Sequence, residues 1–204
     1  MKPSLFILAA TAFIAACDAG APVSDAPASA APASAEASPT LAAAMGNLSP
    51  DELSPQLLQD LARARAATAR FQRFAAADDA EYDLLFLDMC MENQPTGGMG
   101  YHYVNVGLLD GVVEVERPEA VMYEPGPNGQ LRLVGLEYVI PAAAWTSEDP
   151  PVLFGQELEL NQFDLWALHV WLWKRNPSGI FEPWNPNVSC ANAEGATVAG
   201  RSHH

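Results

Sequence analysis

Three ionisable side chains sit inside segments that are otherwise apolar. His102 lies in the stretch from Gly100 to Leu109, Glu137 in Gln130 to Ile140, and His169 in Leu165 to Trp173. If each segment is a strand, alternation groups His102 with Val104, Val106 and Leu108 on one face. It likewise groups Glu137 with Leu131, Leu133 and Val139, and His169 with Leu165, Ala167 and Trp171. A buried carboxylate is costly without a partner, so Glu137 requires one. Two imidazoles and a carboxylate form the donor set of catalytic zinc and non-haem iron centres, so a divalent transition metal is one cofactor these residues allow. They also suit a general acid–base pair with an orienting partner. Against both stands the ordinary reading, in which each histidine is a hydrogen-bonded group inside a sheet and Glu137 pairs with Arg132 or a histidine. The spacing has no His-x-His or His-x-x-x-His step, and the sequence by itself favours that ordinary reading.

Aromatic residues offer a second kind of site. Tyr101, Tyr103, Trp166, Trp171, Trp173 and Trp184 are many for one small domain and suit either an apolar ligand pocket or a core. As strand residues, Trp171 and Trp173 share a face with His169, and Trp166 faces the other way. Core is the default.

The elements that must position these groups read as α+β, with an N-terminal helix packed on a mainly antiparallel sheet. Ser54-Pro55 is an N-cap followed by proline at the first helical position. Leu57, Leu61, Ala64, Thr68, Phe71 and Ala75 then recur at steps of three and four, which predicts a helix from about Pro55 to Ala77, at most to Tyr82. Its arginines, Arg63, Arg65, Arg70 and Arg73, form a solvated face. Asp78, Asp79, Glu81 and Asp83 follow without the ligand pattern or glycine of a calcium loop and read as a solvated acidic stretch. A meander is expected over about 100–140: a strand from Gly100 to Leu109, a hairpin at Asp110-Gly111, a return strand from Val112 to Glu116, a short strand from Glu119 to Glu124, a turn at Asn128-Gly129 and a long strand from Gln130 to Ile140. A helical turn falls near Ala142–Trp145. The run from Leu165 to Trp173 fits a buried helix or a central strand, and its Trp, Val and Leu content and the stop at Asn176-Pro177-Ser178-Gly179 favour strand.

The N-terminus is of another kind. Lys2 precedes an apolar run from Leu5 to Ala16, the pattern of an export signal, and the run is too short to span a bilayer. Ile14-Ala15-Ala16-Cys17 resembles a bacterial lipobox. That resemblance implies cleavage before Cys17, lipid on Cys17, and a membrane-anchored protein facing the periplasm or cell exterior. Asp18 implies inner-membrane retention under enterobacterial sorting, a rule not common to all bacteria, so the leaflet stays open. Residues 17–48 then form the lipidated cysteine and an Ala/Pro/Ser tether, which spans on the order of 30 Å. Residues 49–192 make one globular domain, and residues 193–204 a disordered tail in which His203 and His204 are incidental.

The net charge of −15 excludes nucleic acid as a partner. With Cys17 lipidated, Cys90 and Cys190 remain as an even pair in an exported chain, which predicts a disulfide. No Cys-x-x-Cys spacing supports a redox pair or a zinc site.

Met99-Gly100-Tyr101-His102-Tyr103-Val104-Asn105, Leu133-Val134-Gly135-Leu136-Glu137-Tyr138 and Leu168-His169-Val170-Trp171-Leu172-Trp173, with Asn176-Pro177-Ser178-Gly179, resemble a family of exported bacterial proteins of unknown function. The likeness covers about residues 55–190 and includes the helix segment Ala64 to Phe71. Over a shorter stretch the chain is similar to plant oil-body-associated proteins, which place a His-Tyr step ahead of a strand reading roughly Leu-Ile-Gly-Val-Glu-Tyr. Neither resemblance implies a reaction. The expectation is a lipid-anchored envelope protein whose domain binds a small molecule or a protein partner. The alternatives are a metal-dependent enzyme using His102, Glu137 and His169, and a structural envelope component.

Overall fold

The computed structural model describes residues 53–193. The signal segment, Cys17, the tether, the start of the expected domain at 49–52 and the tail after Ala193 lie outside the described residues. Ala193, expected to begin the tail, is held against the sheet: its carbonyl accepts from the Tyr101 hydroxyl at 3.2 Å.

The fold is α+β, a short N-terminal helix ahead of a mainly antiparallel sheet. Helix α1 (Pro55–Thr68) starts as its cap dictates, with the Ser54 hydroxyl accepting from the Leu57 N–H at 3.1 Å. Leu57, Leu61, Ala64 and Thr68 form its buried stripe. The helix does not continue unbroken to Ala77. The Thr68 hydroxyl bonds back to the Ala64 carbonyl at 2.8 Å, the chain tightens into a 3-10 turn over Ala69–Gln72, and Arg73 is extended at φ −97° and ψ 112° before α2 (Phe74–Asp78). The break brings two aromatics onto the core. Phe71 meets Tyr82 at 5.0 Å, and Phe74 meets Tyr103 and Tyr123 at 4.5 and 5.3 Å. The freed Phe71 carbonyl accepts from the Tyr123 hydroxyl at 2.7 Å. Packing here overrides the helix preference of an alanine-rich segment. Nor are all four arginines solvated: Arg65 lies 3.9 Å over the Trp173 ring and donates to the Leu172 carbonyl.

The main sheet contains β1 (Leu84–Leu85), β2 (Met91–Asn93), β3 (Gly97–Val104), β4 (Ala120–Pro125), β5 (Leu131–Pro141), β8 (Glu159–Leu160) and β9 (Leu165–Val170). Its order is β1-β3-β4-β5-β9-β8, with β2 on the same edge of β3 as β1 and every pairing antiparallel. A separate ribbon pairs β6 (Val152–Leu153) with β7 (Gln156–Glu157). The dense apolar run from Leu165 is thus a strand, and it sits between β5 and β8. One face of the sheet packs on the helices through Tyr101, Tyr103, Val121, Tyr123, Leu136 and Tyr138. The other carries a smaller buried cluster of Met122, Val134, Trp171 and Val188.

Three departures from simple alternation matter for the site. The strand through His102 stops at Val104, because Asn105 caps a 3-10 turn over Val106–Leu108 with its side chain accepting from Gly107 N–H at 2.9 Å. Asp110 likewise accepts from Val112 N–H at 2.8 Å, but Val112 to Glu116 forms no return strand, only a bridge from Glu114 to Arg117. Val106 and Leu108 therefore do not share a sheet face with His102. In β5 the register shifts between Gly135, opposite Met122, and Leu133, opposite Tyr123. This bulge puts both Leu133 and Leu136 on the helix side, so Glu137 shares its face with Val139 but not with Leu133. Finally, β9 ends at Val170. The N–H groups of Trp173 and Lys174 both turn to the Val134 carbonyl, at 3.2 and 3.0 Å, and Trp173 goes to Arg65 on the helix side rather than to the face of His169.

Cys90 and Cys190 are paired, their Cα atoms 5.8 Å apart and 100 residues apart in sequence.

Candidate metal centre

His102 on β3, Glu137 on β5 and His169 on β9 point to the sheet face away from the helices. The register explains how they meet. Glu137 lies directly opposite His169 across β5 and β9, and opposite Ala120 across β4 and β5. His102 is one strand further away, opposite Met122. Two strand spacings and a two-residue offset along them put the backbones about 12 Å apart, so the imidazole and the carboxylate must lean towards each other over β4. The β4 residue opposite Glu137 is Ala120, fully buried and small, and the side chain of Met122, opposite His102, lies over Gly135.

The result is a tight cluster. His102 Nε2 is 3.7 Å from Glu137 Oε2, and His169 Nε2 is 3.5 Å from Glu137 Oε1. The two imidazole rings are 5.9 Å apart and nearly perpendicular, at 88°. One donor atom from each residue lies within 4.8 Å of the others, close enough to hold a metal ion. The side chains of His102, Glu137 and His169 are 1, 14 and 10 % exposed. Both nitrogens of His102 and Nε2 of His169 are buried without a hydrogen bond. Their distances to Glu137 are too long for one. The ordinary reading of satisfied polar groups therefore fails at these three atoms. The basic side chains within 4.0 Å of the Glu137 carboxyl group among the described residues are the two histidines and not Arg132.

Burial sets the electrostatics. It pushes His102 down to about 3, helped by the neighbouring His169, while a Gly100 backbone contact outside ordinary hydrogen-bond geometry acts weakly the other way. Burial alone pushes His169 down to about 4 and Glu137 up to about 7. Near neutral pH both imidazoles are uncharged, the form that binds metal, and the carboxyl group readily gives up its proton.

A cleft of about 880 Å³ reaches this cluster, with Glu137 and His169 in its lining beside Val139, Leu165 and Ala167. Met89, Met91 and Met99 line it from the β2–β3 side, the first two flanking Cys90 of the disulfide. Phe86 and Phe163 come from opposite walls and meet edge to face at 5.2 Å and 90°. Of the aromatics singled out in the sequence, Trp184 lines the cleft, Trp171 stacks beneath His169 at 6.5 Å and 14°, and Tyr101 and Tyr103 belong to the helix-side core. Alternation alone does not mark the methionine and phenylalanine lining. The Met-Cys-Met step at 89–91 is its one visible sign, since the disulfide at Cys90 ties down the backbone that carries both methionines. Nothing marks Ala120 until the register is known.

Comparison of the chain with models of known protein families, with curated proteins and with solved structures found no match.

Proposed function

We propose that the chain is an exported, lipid-anchored envelope protein whose domain holds one divalent transition metal ion between His102, Glu137 and His169, with the ion open to a cleft that receives a small apolar ligand. One observation carries the metal assignment: three donors from three strands converge on one point, and the two imidazole nitrogens that face Glu137 there, Nε2 of His102 and Nε2 of His169, are buried without a hydrogen bond. Such atoms are costly to leave unmade in a dry interior. A cation supplies a ligand bond to the histidines and offsets the charge of Glu137. Two imidazoles and one carboxylate suit zinc or ferrous iron. The anchor rests on the Lys2, Leu5–Ala16 and Cys17 pattern, and the paired Cys90 and Cys190 fit an oxidising compartment.

Catalysis is the second reading, favoured by the cleft that opens onto Glu137 and His169. Three protein ligands and an open position are the arrangement of catalytic rather than structural zinc. The metal assignment is tested by elemental analysis of protein purified without a metal-affinity step. One zinc or iron per chain is expected, falling below a tenth in His102→Ala and Glu137→Ala. A folded wild-type chain that neither carries nor takes up a transition metal overturns the assignment.

A further inference from the structure

The charge count at the floor of the cleft selects among ligands. Metal-bound histidines are neutral and a metal-bound carboxylate is an anion, so a divalent ion held by His102, Glu137 and His169 leaves one unit of positive charge. That charge sits beneath an apolar cleft. Val139, Leu165 and Ala167 surround it on the sheet, and among the described residues no lysine or arginine lines the cleft. The other ionisable groups of the lining are Glu92 and Glu159, both exposed on their strands, so the cleft adds negative charge at its sides and none that is positive. An uncompensated charge in a low-dielectric site is costly, and one monoanionic donor on the metal removes it. A dianionic head overshoots neutrality and finds no cationic partner in the cleft. Phosphate recognition relies on such partners, usually arginine or lysine.

The walls specify the rest of the molecule. Leu84, Leu87, Met89 and Phe163 remain 44, 49, 50 and 41 % exposed although they are large and apolar. All four line the same cleft. Scattered exposed apolar residues need no explanation, but four gathered in one concavity mark a surface that is covered in use. Methionines adapt to ligands of varied shape. The volume of about 880 Å³ is that of a site for one small organic molecule.

We infer that the cleft binds an apolar monocarboxylate, its single carboxylate on the metal held by His102, Glu137 and His169 and its apolar body along the Met and Phe walls. This rests on the metal reading above and adds a ligand class to it. Phosphate monoester heads, dianionic near neutral pH, fit this site less well, because the lining adds no cationic residue beside the metal.

The test is calorimetry on the chain from position 17 onward, made without the apolar leader and carrying Cys17→Ser, so that no lipid is attached and no detergent is needed. Four probes share a ten-carbon tail: decanoate, decanol, decyl phosphate and decyltrimethylammonium. Zinc content is measured on the same samples. With zinc bound, decanoate is expected to bind at least tenfold more tightly than each of the other three. Stripping the zinc is expected to abolish that preference while decanol affinity changes less than threefold. Phe163→Glu, a change at a partly exposed wall position, is expected to weaken decanoate at least tenfold with zinc content unchanged. Zinc-loaded protein that binds decanol or decyl phosphate as tightly as decanoate overturns the ligand assignment and leaves the metal assignment standing. Decanoate affinity that is the same with and without zinc also overturns the ligand assignment alone. A folded protein that takes up neither zinc nor ferrous iron overturns both.

Discussion

Metal binding should release about one proton at pH 5, and that proton should come from Glu137. The perturbation is zinc titrated into metal-free protein at several pH values. Burial holds His102 at about 3 and His169 at about 4, so at pH 5 both rings are already neutral. Glu137, pushed up to about 7, is then protonated and must lose its proton to the incoming cation. The expected release is about 1.1 protons at pH 5, about 0.9 at pH 6, half at pH 7 and about 0.1 at pH 8, from the pKa values of about 3, 4 and 7. The same side chains with ordinary pKa values would release about 2 protons at pH 5 and about 1.5 at pH 6, nearly all from the histidines. The sign follows: affinity weakens about tenfold, or about 1.4 kcal/mol, for each unit of pH lost below 7. Isothermal titration calorimetry in pairs of buffers with different ionisation enthalpies counts the protons directly. In Glu137→Gln the release at pH 6 should fall to near zero, because the histidines have nothing left to give. Two protons released by the wild type at pH 5, or an unchanged count in Glu137→Gln, would refute the electrostatic description of the site.

In Glu119→Gln, which removes the opposing contribution of a buried carboxyl group raised to about 8, metal-free protein should lose stability as pH falls from about 6.5 to 4.5, by about 1 kcal/mol per pH unit, read by urea unfolding. The depressed histidines contribute stability above about 6.5 that is lost as pH falls towards their folded values of about 4 and 3. Glu137, raised, contributes below about 4.5 and loses that contribution as pH rises through about 7; two histidines outweigh one carboxylate. A stability profile that is flat over this range would contradict these shifts. Gly100→Ala should cost about 1–3 kcal/mol, since Gly100 has φ +87° and an added Cβ would lie 2.4 Å from the Tyr123 carbonyl oxygen. An unchanged urea midpoint would argue against that backbone geometry. Replacing Cys90 and Cys190 together by alanine should cost about 2–5 kcal/mol, because the bridge closes a long loop. It should also loosen the wall that carries Met89 and Met91, seen as faster hydrogen exchange there. Equal stability and exchange would show that the loop is held by other contacts.

Much of this fold was legible because strong local signals agreed with the tertiary structure. Ser54-Pro55 marked the start of α1, Asn128-Gly129 the β4–β5 turn, and Gln130 to Ile140 the longest strand, observed as Leu131–Pro141. What was not legible came from side chains bonding to nearby backbone and from long-range register. Asn105 and Asp110 each satisfy an N–H two residues on and divert the chain before the expected hairpin can pair. The bulge in β5 reverses the faces of Leu131 and Leu133, which no period-two argument foresees. The helix break at Arg73 depends on Tyr123, a partner distant in sequence. The three candidate ligands were nonetheless readable, since an ionisable group inside an apolar strand stands out whatever its partners. Their meeting was not, because it depends on β4 entering between β3 and β5 with alanine at position 120. Spacing argued against a metal site for the same reason. Ligands on three strands of one sheet are joined by register and not by a short sequence step.

The most direct measurement is X-ray absorption at the metal edge on zinc-loaded protein, repeated for His102→Ala and His169→Ala, which lose their metal on purification and are reloaded at millimolar zinc and protein. Two imidazole nitrogens and one carboxylate oxygen are expected at about 2.0–2.2 Å, with one imidazole lost in each variant. A first shell without imidazole, or one unaltered by either substitution, would contradict a metal centre at His102, Glu137 and His169.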